Sequence, residues 1–195
     1  MTSTTTTTVK SWRWLTPAAR LARMRELVAA RGWRLVTDEP RGHLREWHGD
    51  AGLHVGWMEF HNHGVRALWV EADDEPTRDA AIESLTAELP SWSAEVLRRD
   101  AFADDLRTRL IAARAWTLAA TSEPSLIAGL PEALLELARH DNPVARLAVL
   151  DLAYVARQIL PDATLALARE RAEQDREHTE QWQHLVSLFE DDDDR

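Results

Sequence analysis

Histidine is the residue type whose clustering first suggests chemistry in this chain. Five of the eight histidines lie between positions 43 and 63, namely His43, His48, His54, His61 and His63. Imidazole rings bind zinc and other transition metals, and they exchange protons near neutral pH. The chain has no cysteine, and His61 and His63 fall at an expected hairpin turn rather than on one strand face. The pattern therefore favours exposed strand and turn histidines, with neither a metal nor a cofactor required.

Three tryptophans form a second candidate group, because Trp47, Trp57 and Trp69 fall on neighbouring predicted strands. Tryptophans on an open sheet face can anchor a partner, since a few buried aromatic side chains often dominate binding energy. They can also pack beneath helices that cover the sheet, and this second interpretation is favoured. Trp47 and Trp57 are kept as candidate partner-binding residues.

No catalytic motif accompanies these groups. The sequence contains neither a glycine-rich phosphate loop nor a nucleophile elbow. Serine, histidine and aspartate residues are too common in a chain of this length to indicate a catalytic triad. A non-enzymatic function is therefore favoured, and no catalytic or cofactor-binding residue is assigned. The alternative is a small-molecule-binding protein, or an enzyme with its site on the tryptophan- and histidine-rich sheet.

The charge of the chain restricts its partners. The formal net charge is −10 over 195 residues. Acidity of this size repels phosphate backbones and disfavours nucleic acid as a partner, whereas it suits a basic protein. It can also serve solubility alone. The threonine-rich start lacks the features of a secretion signal, and no apolar run approaches the ~20 residues that span a membrane. A cytoplasmic location without membrane contact is therefore expected.

The first half of the chain predicts an α+β unit, assigned to residues 1–91. A helix is expected over residues 17–31 and a second one over residues 76–89. Between them, apolar alternation and turn residues predict a four-stranded antiparallel sheet, with strands at residues 33–37, 43–48, 53–61 and 65–72. A three-residue hairpin loop would place Trp57 opposite Trp69. Residues 1–15 are assigned to a disordered tail.

The second half predicts an all-α unit over residues 92–189, with an internal repeat. The segment LPEALLELAR, ending at Arg139, recurs thirty residues later as LPDATLALAR, ending at Arg169. Proline at the first helical position and an acid after it both favour a helix start. The helix between the copies, residues 143–160, is so apolar that we expect neighbours to enclose it. A capping helix over residues 175–189 and an acidic tail over residues 190–195 complete the prediction.

The repeated region resembles a HEAT repeat, a helical-hairpin unit. The resemblance lies in the helix that ends with LLELA at Ala138, in a turn with Asp141 and Pro143, and in Arg146 and Ala148 on the next helix. It covers about residues 101–189. It implies a solenoid-like stack of hairpins that binds another protein through an exposed helix face.

Polar positions that recur in the repeat are predicted to line one strip of this stack. They are Glu132, Glu136 and Arg139 in one copy, and Asp162, Arg169 and Glu173 in the next. The strip is a candidate partner-binding surface, and a merely solvated face is the alternative. The predicted function is a protein-binding module: an adaptor, a chaperone-like partner, or an immunity protein that neutralises a toxin.

Overall fold

A computed structural model of the chain describes residues 9–39, 44–50, 52–60 and 64–193. The chain divides into two compact units, Met1–Ser93 and Ala94–Arg195. The class is α+β, with a sheet in the first unit and a stack of helices in the second. Within the described residues, no helix has the length and apolar character needed to cross a membrane.

The first unit contains a five-stranded antiparallel sheet with strand order β1-β5-β4-β3-β2. Its strands are β1 (Val9–Leu15), β2 (Arg34–Asp38), β3 (Leu44–His48), β4 (His54–Phe60) and β5 (Val65–Ala72). Helix α1 (Leu21–Ala30) precedes β2, and helix α2 (Glu75–Thr86) follows β5. The predicted turn at residues 40–42 lies outside the described residues, as do His43, His61 and His63.

Strand β1 corrects the prediction of a tail for residues 9–15, whereas residues 1–8 of the predicted tail lie outside the described residues. Its residues alternate across the sheet and pair with β5, with Trp12 opposite Trp69 and Trp14 opposite Ala67. The partner strand lies about fifty residues away in sequence, so no hairpin signal announces the pairing. Helix α1 also begins later than predicted. The hydroxyl of Thr16 accepts a hydrogen bond from the backbone amide of Ala18 in a turn, and it does not cap a helix.

The register of the β4–β5 hairpin differs by one residue from the prediction. Trp57 lies opposite Leu68, and Trp69 lies opposite Gly56. A one-residue change moves side chains to the other sheet face, so Trp57 and Trp69 point to opposite faces. The indole of Trp69 covers Gly56 so closely that a Cβ atom there would overlap the ring.

The helices cover the sheet face that carries Trp47 and Trp57. Both indoles belong to a core that also includes Met24 and Val28 of α1 and Leu85 of α2. Trp57 is 0% exposed and Trp47 is 3% exposed. Neither side chain is accessible to a partner, so the interpretation that they pack beneath helices is the one the structure supports.

The second unit is built from helical hairpins. Its helices are α3 (Ala94–Asp100), α4 (Leu106–Ser122), α5 (Leu130–Ala138), α6 (Pro143–Ala156), α7 (Pro161–Gln174) and α8 (Thr179–Asp193), with a short 3-10 helix at Pro124–Leu126. Helix α4 packs on α6 and α6 packs on α8, while α5 packs on α7. The two repeat copies, α5 with α6 and α7 with α8, therefore stack as two-layered neighbours.

Two expectations about these helices need correction. Helix α6 is not fully enclosed, because Val144 is 60% exposed and Leu147 is 46% exposed. Helices α4, α5, α7 and α8 all contact α6, but they leave one side of its first two turns open. Helix α8 buries Trp182 and Leu185 as expected, but it continues through Asp193 into the acidic run that was assigned to a tail.

Candidate functional site

A groove in the second unit lies between α5 and α7, the first helices of the two repeat copies. Its volume is about 240 Å³. Its lining is mostly apolar and consists of Pro131, Glu132, Leu134, Leu135, Leu160, Ala163, Thr164, Ala166, Leu167 and Glu170. Leu134 and Leu167 are almost fully buried and form the floor. The groove exists because α5 and α7 carry small or apolar residues where they face each other.

The loop before α5 is fixed by a buried tryptophan. The indole nitrogen of Trp116 in α4 donates to the carbonyl of Leu126 at 2.6 Å. Gly129, which precedes α5, has a φ of +87° and packs against the same ring. This left-handed conformation favours glycine, so the start of α5 and its groove-lining Glu132 are held by the α4 core.

The rim of the groove carries acidic side chains without partners. Glu132 lines the groove, and Asp162 precedes the groove-lining Ala163 at the equivalent position of α7. Both are exposed, and neither makes an ion pair or side-chain hydrogen bond with any described residue. Glu132 therefore adds an uncompensated negative charge to the groove lining, and Asp162 adds another beside it in the first turn of α7.

Other residues of the predicted strip are engaged in ion pairs between helices. Glu136 accepts from Arg109 of α4 at 2.6 Å. Arg139 donates both Nε and Nη2 to Glu170 of α7, at 2.8 and 2.9 Å. This bidentate pair lowers the pKa of Glu170, chiefly through the hydrogen bonds from Arg139. Arg169 and Glu173 are exposed, and neither forms an ion pair with a residue that the structure describes.

A second, polar pocket lies where the turns of the two repeat copies meet. Its volume is about 370 Å³, and its lining consists of Arg139, His140, Asp141, Arg146, Arg171, Gln174, Asp175, Arg176 and Glu177. In the sequence, Asp141, Pro143 and Arg146 belong to the turn of the HEAT-like unit, and their spacing does not indicate a pocket. The clustering of arginines from α6, α7 and the following loop depends on the stacking of the two copies, which spacing alone does not reveal.

Arg146 holds the turns that form this pocket. Its guanidinium donates to the carbonyl oxygens of Asp141 at 2.8 Å and His140 at 3.3 Å. It also reaches Glu177 at 3.0 Å and Asp175 at 3.6 Å in the next copy. One side chain thus ties the α5–α6 turn to the α7–α8 turn.

Asp175 is a buried carboxylate in the α7–α8 turn, with a side chain 2% exposed. Burial alone would raise its pKa, but hydrogen bonds from Trp182 and His178 outweigh burial, together with the charges of His178 and Arg146. The pKa of Asp175 is therefore lowered, and the group stays ionised. The indole Nε1 of Trp182 donates to Asp175 Oδ2 at 3.3 Å, which connects the turn to the core of α8.

Asp175, Glu177 and His178 bring three possible metal-binding atoms within 4.8 Å of one another. Carboxylate and imidazole groups suit several divalent cations. However, Arg146 already contacts both carboxylates. A metal ion would have to displace that guanidinium and its hydrogen bonds to the α5–α6 turn, so the cluster is better explained as a structural ion-pair network.

The sheet face away from the helices carries a second aromatic group. Trp12, Trp14 and Trp69 neighbour one another on it, with ring centroids 6.4 Å apart in two of the pairs. The ammonium of Lys10 lies 3.8 Å from the centroid of Trp69. His48 and His54 stack with centroids 3.9 Å apart at the end of the β3–β4 pair. Of the predicted histidine cluster, these two are the members that the described residues bring together.

Comparisons of the chain with protein families, with curated proteins and with solved structures gave no match.

Proposed function

We propose that the chain is a protein-binding module, and that the α5–α7 groove takes a segment of its partner. The observation that carries this proposal is the apolar groove with Glu132 in its lining and Asp162 next to it in α7, both without a partner in the described part of the chain. The partner segment would insert an apolar side chain between Leu134 and Leu167 and place basic side chains against the rim. The resemblance to HEAT repeats, which bind proteins through exposed helix faces, supports the same function.

The size of the groove favours a side-chain anchor over a small-molecule ligand. Ligand pockets are usually about 300–1,000 Å³, whereas this groove is about 240 Å³. Burial of one leucine or phenylalanine side chain contributes about 1.5–3 kcal/mol. The overall charge of −10 would attract a basic partner and accelerate the encounter. Adaptor, chaperone-like and toxin-neutralising roles in the cytoplasm all use such a surface, and the identity of the partner separates them.

A second candidate function places a small-molecule or catalytic site on the sheet face away from the helices. The stacked pair His48 and His54 beside the Trp12–Trp69 aromatic group supports it. This second function has a different ligand from the first. If it is correct, a small molecule would copurify in stoichiometric amount and no protein partner would be recovered.

Site-specific photo-cross-linking in the native host tests the groove directly. Ala166 is exposed and lines the groove, so a benzoylphenylalanine placed there lies against any bound segment. Ala128 is an exposed control outside the groove. We expect a cross-link from position 166 to a segment with an apolar residue between basic ones, and none from position 128. Equal cross-linking at both positions, or no protein product from position 166, would contradict the proposal.

A further inference from the structure

We infer that the polar pocket between the repeat turns is a binding site for a small tetrahedral oxyanion of the phosphate class. This site is separate from the α5–α7 groove, and it stands independently of the partner proposed there. The central residue is Arg171 of α7, which lines the pocket while only 7% of the residue is exposed. Its Nε is buried and has no hydrogen-bond acceptor.

A buried guanidinium nitrogen without an acceptor lowers the stability of the folded chain. A buried donor left unsatisfied costs about 1–3 kcal/mol, and more when it is charged. The contact that Arg171 does make is a long one, from Nη1 to the side-chain oxygen of Gln174 at 3.4 Å. It forms no ion pair with a carboxylate among the described residues. An oxyanion in the pocket would supply a charged acceptor to the part of the Arg171 side chain that lines it.

The ion pairs around the pocket leave two arginines without a carboxylate partner among the described residues, although the cations of the lining are balanced overall by the acids of the lining together with Glu170. The carboxylates of Asp175 and Glu177 face Arg146, and Glu170 faces Arg139, so those arginines are compensated. The remaining cations are Arg171 and Arg176. Arg176 is exposed, lines the pocket and makes no ion pair within the described part of the chain.

Two negative charges oppose the anion. Arg146 faces both Asp175 and Glu177, so it balances only one of these two carboxylates. Asp141 lines the same pocket and is exposed, with no side-chain partner among the described residues. Its carboxylate would repel a bound anion, although its exposure lets it turn towards water. His140 adds a donor, since its side chain also lines the pocket.

Phosphate fits this arrangement better than other ligand classes. A guanidinium presents its donors in a planar fork that matches phosphate oxygens, and such charge-assisted bonds are stronger than neutral ones. A volume of about 370 Å³ accommodates phosphate or a small phosphate ester. A nucleic acid is disfavoured, because the net charge of −10 repels a long polyanion.

Calorimetric titration of the full chain tests this site, with inorganic phosphate and phenyl phosphate as probes at constant ionic strength. We expect one saturable site for phosphate, and tighter binding of phenyl phosphate if the natural ligand is an ester. Arg176→Gln should weaken phosphate binding about tenfold, as expected for one lost charge-assisted bond. Asp141→Asn should strengthen it, and Arg169→Gln, on the same helix but outside the pocket, should leave it unchanged.

Arg171→Lys addresses the buried residue itself, because lysine keeps the charge but lacks the planar fork. It should reduce phosphate affinity, and circular dichroism checks that the variant remains folded. If Arg171→Lys does not fold, Arg176→Gln and Asp141→Asn still decide, since both side chains are exposed. Absence of saturable phosphate binding, or equal weakening by Arg169→Gln and Arg176→Gln, would overturn the inference.

Discussion

Gly56 allows the indole of Trp69 to lie flat across β4. A Cβ atom at this position would overlap the ring. We therefore expect Gly56→Ala to destabilise the chain by about 1–3 kcal/mol, the usual cost of overpacking. Urea unfolding of the purified variant measures this change. The cost should appear without loss of the groove or the polar pocket, because both belong to the second unit.

Coupling to Trp69 separates overpacking from a general effect of alanine at this strand position. In Gly56→Ala/Trp69→Leu, the smaller side chain leaves room for the new methyl group. The double variant should therefore lose less stability than the sum of the two single variants. Strict additivity would show that the ring does not rest on Gly56.

Asp175 makes the stability of the chain sensitive to acid. Its pKa is lowered in the folded state, so its contribution is full above the unfolded pKa of about 3.9 and is lost as pH falls through the folded value. Asp175→Asn removes the charge, and we expect a loss of about 1.5–3 kcal/mol at pH 7, typical of hydrogen bonds to a charged group. The stability difference between the two proteins should narrow below pH 4. A difference that stays constant from pH 7 to pH 2.5 in urea titrations would contradict this role.

Glu132 and Glu136 of α5 should contribute differently to the stability of the chain. Glu136 accepts from Arg109 across the α4–α5 contact, whereas Glu132 has no partner among the described residues. Glu136→Lys should therefore cost about 1 kcal/mol, at the upper end for exposed ion pairs. Glu132→Lys should change stability by less than about 0.5 kcal/mol. Thermal unfolding of both variants checks the order, and a larger loss for Glu132→Lys would count against this geometry.

Local sequence signals located most elements of the chain. Proline and acid at the starts of α5 and α7, and glycine and aspartate at the turns, fixed the helical hairpins because these signals act within a few residues. Strand β1 was missed because its pairing with β5 is long-range. The β4–β5 register differs by one residue from the prediction because an alternation pattern does not fix which residues of two strands pair.

The candidate sites also divide into features that local sequence signals predict and features that depend on contacts between distant residues. The recurring positions Glu132 and Asp162 were identified from the repeat, since equivalent positions of stacked helices lie at equivalent places. The engagement of Glu136 and Arg139 in ion pairs could not be predicted, because their partners lie on other helices. The polar pocket was also missed, as Arg171 is buried only once α7 and α8 pack together.

At the scale of the whole molecule, net charge sets how a partner approaches. A chain of net charge −10 attracts a basic protein over a distance of about one Debye length, roughly 8 Å at physiological salt. We therefore expect the association rate of the cross-linked partner to fall as salt increases, with a smaller change in the dissociation rate. Stopped-flow or surface plasmon resonance measurements at several salt concentrations separate the two rates. An association rate that is independent of salt would exclude electrostatic attraction.

The partner site between α5 and α7 is tested most directly by the affinity of the chain for the segment cross-linked at position 166. The segment is synthesised as a labelled peptide, and its binding is measured by fluorescence anisotropy. If the segment lies in the groove, we expect the Glu132→Lys/Asp162→Lys variant to bind the peptide at least about tenfold more weakly than the wild type at low salt. The difference should be smaller at high salt. The matched control Asp104→Lys/Glu180→Lys reverses two other exposed acids outside the groove, which form no ion pair with the described residues. This control should weaken binding far less. Equal affinities for the wild type and the groove variant, or equal losses in both variants, would contradict a partner site between α5 and α7.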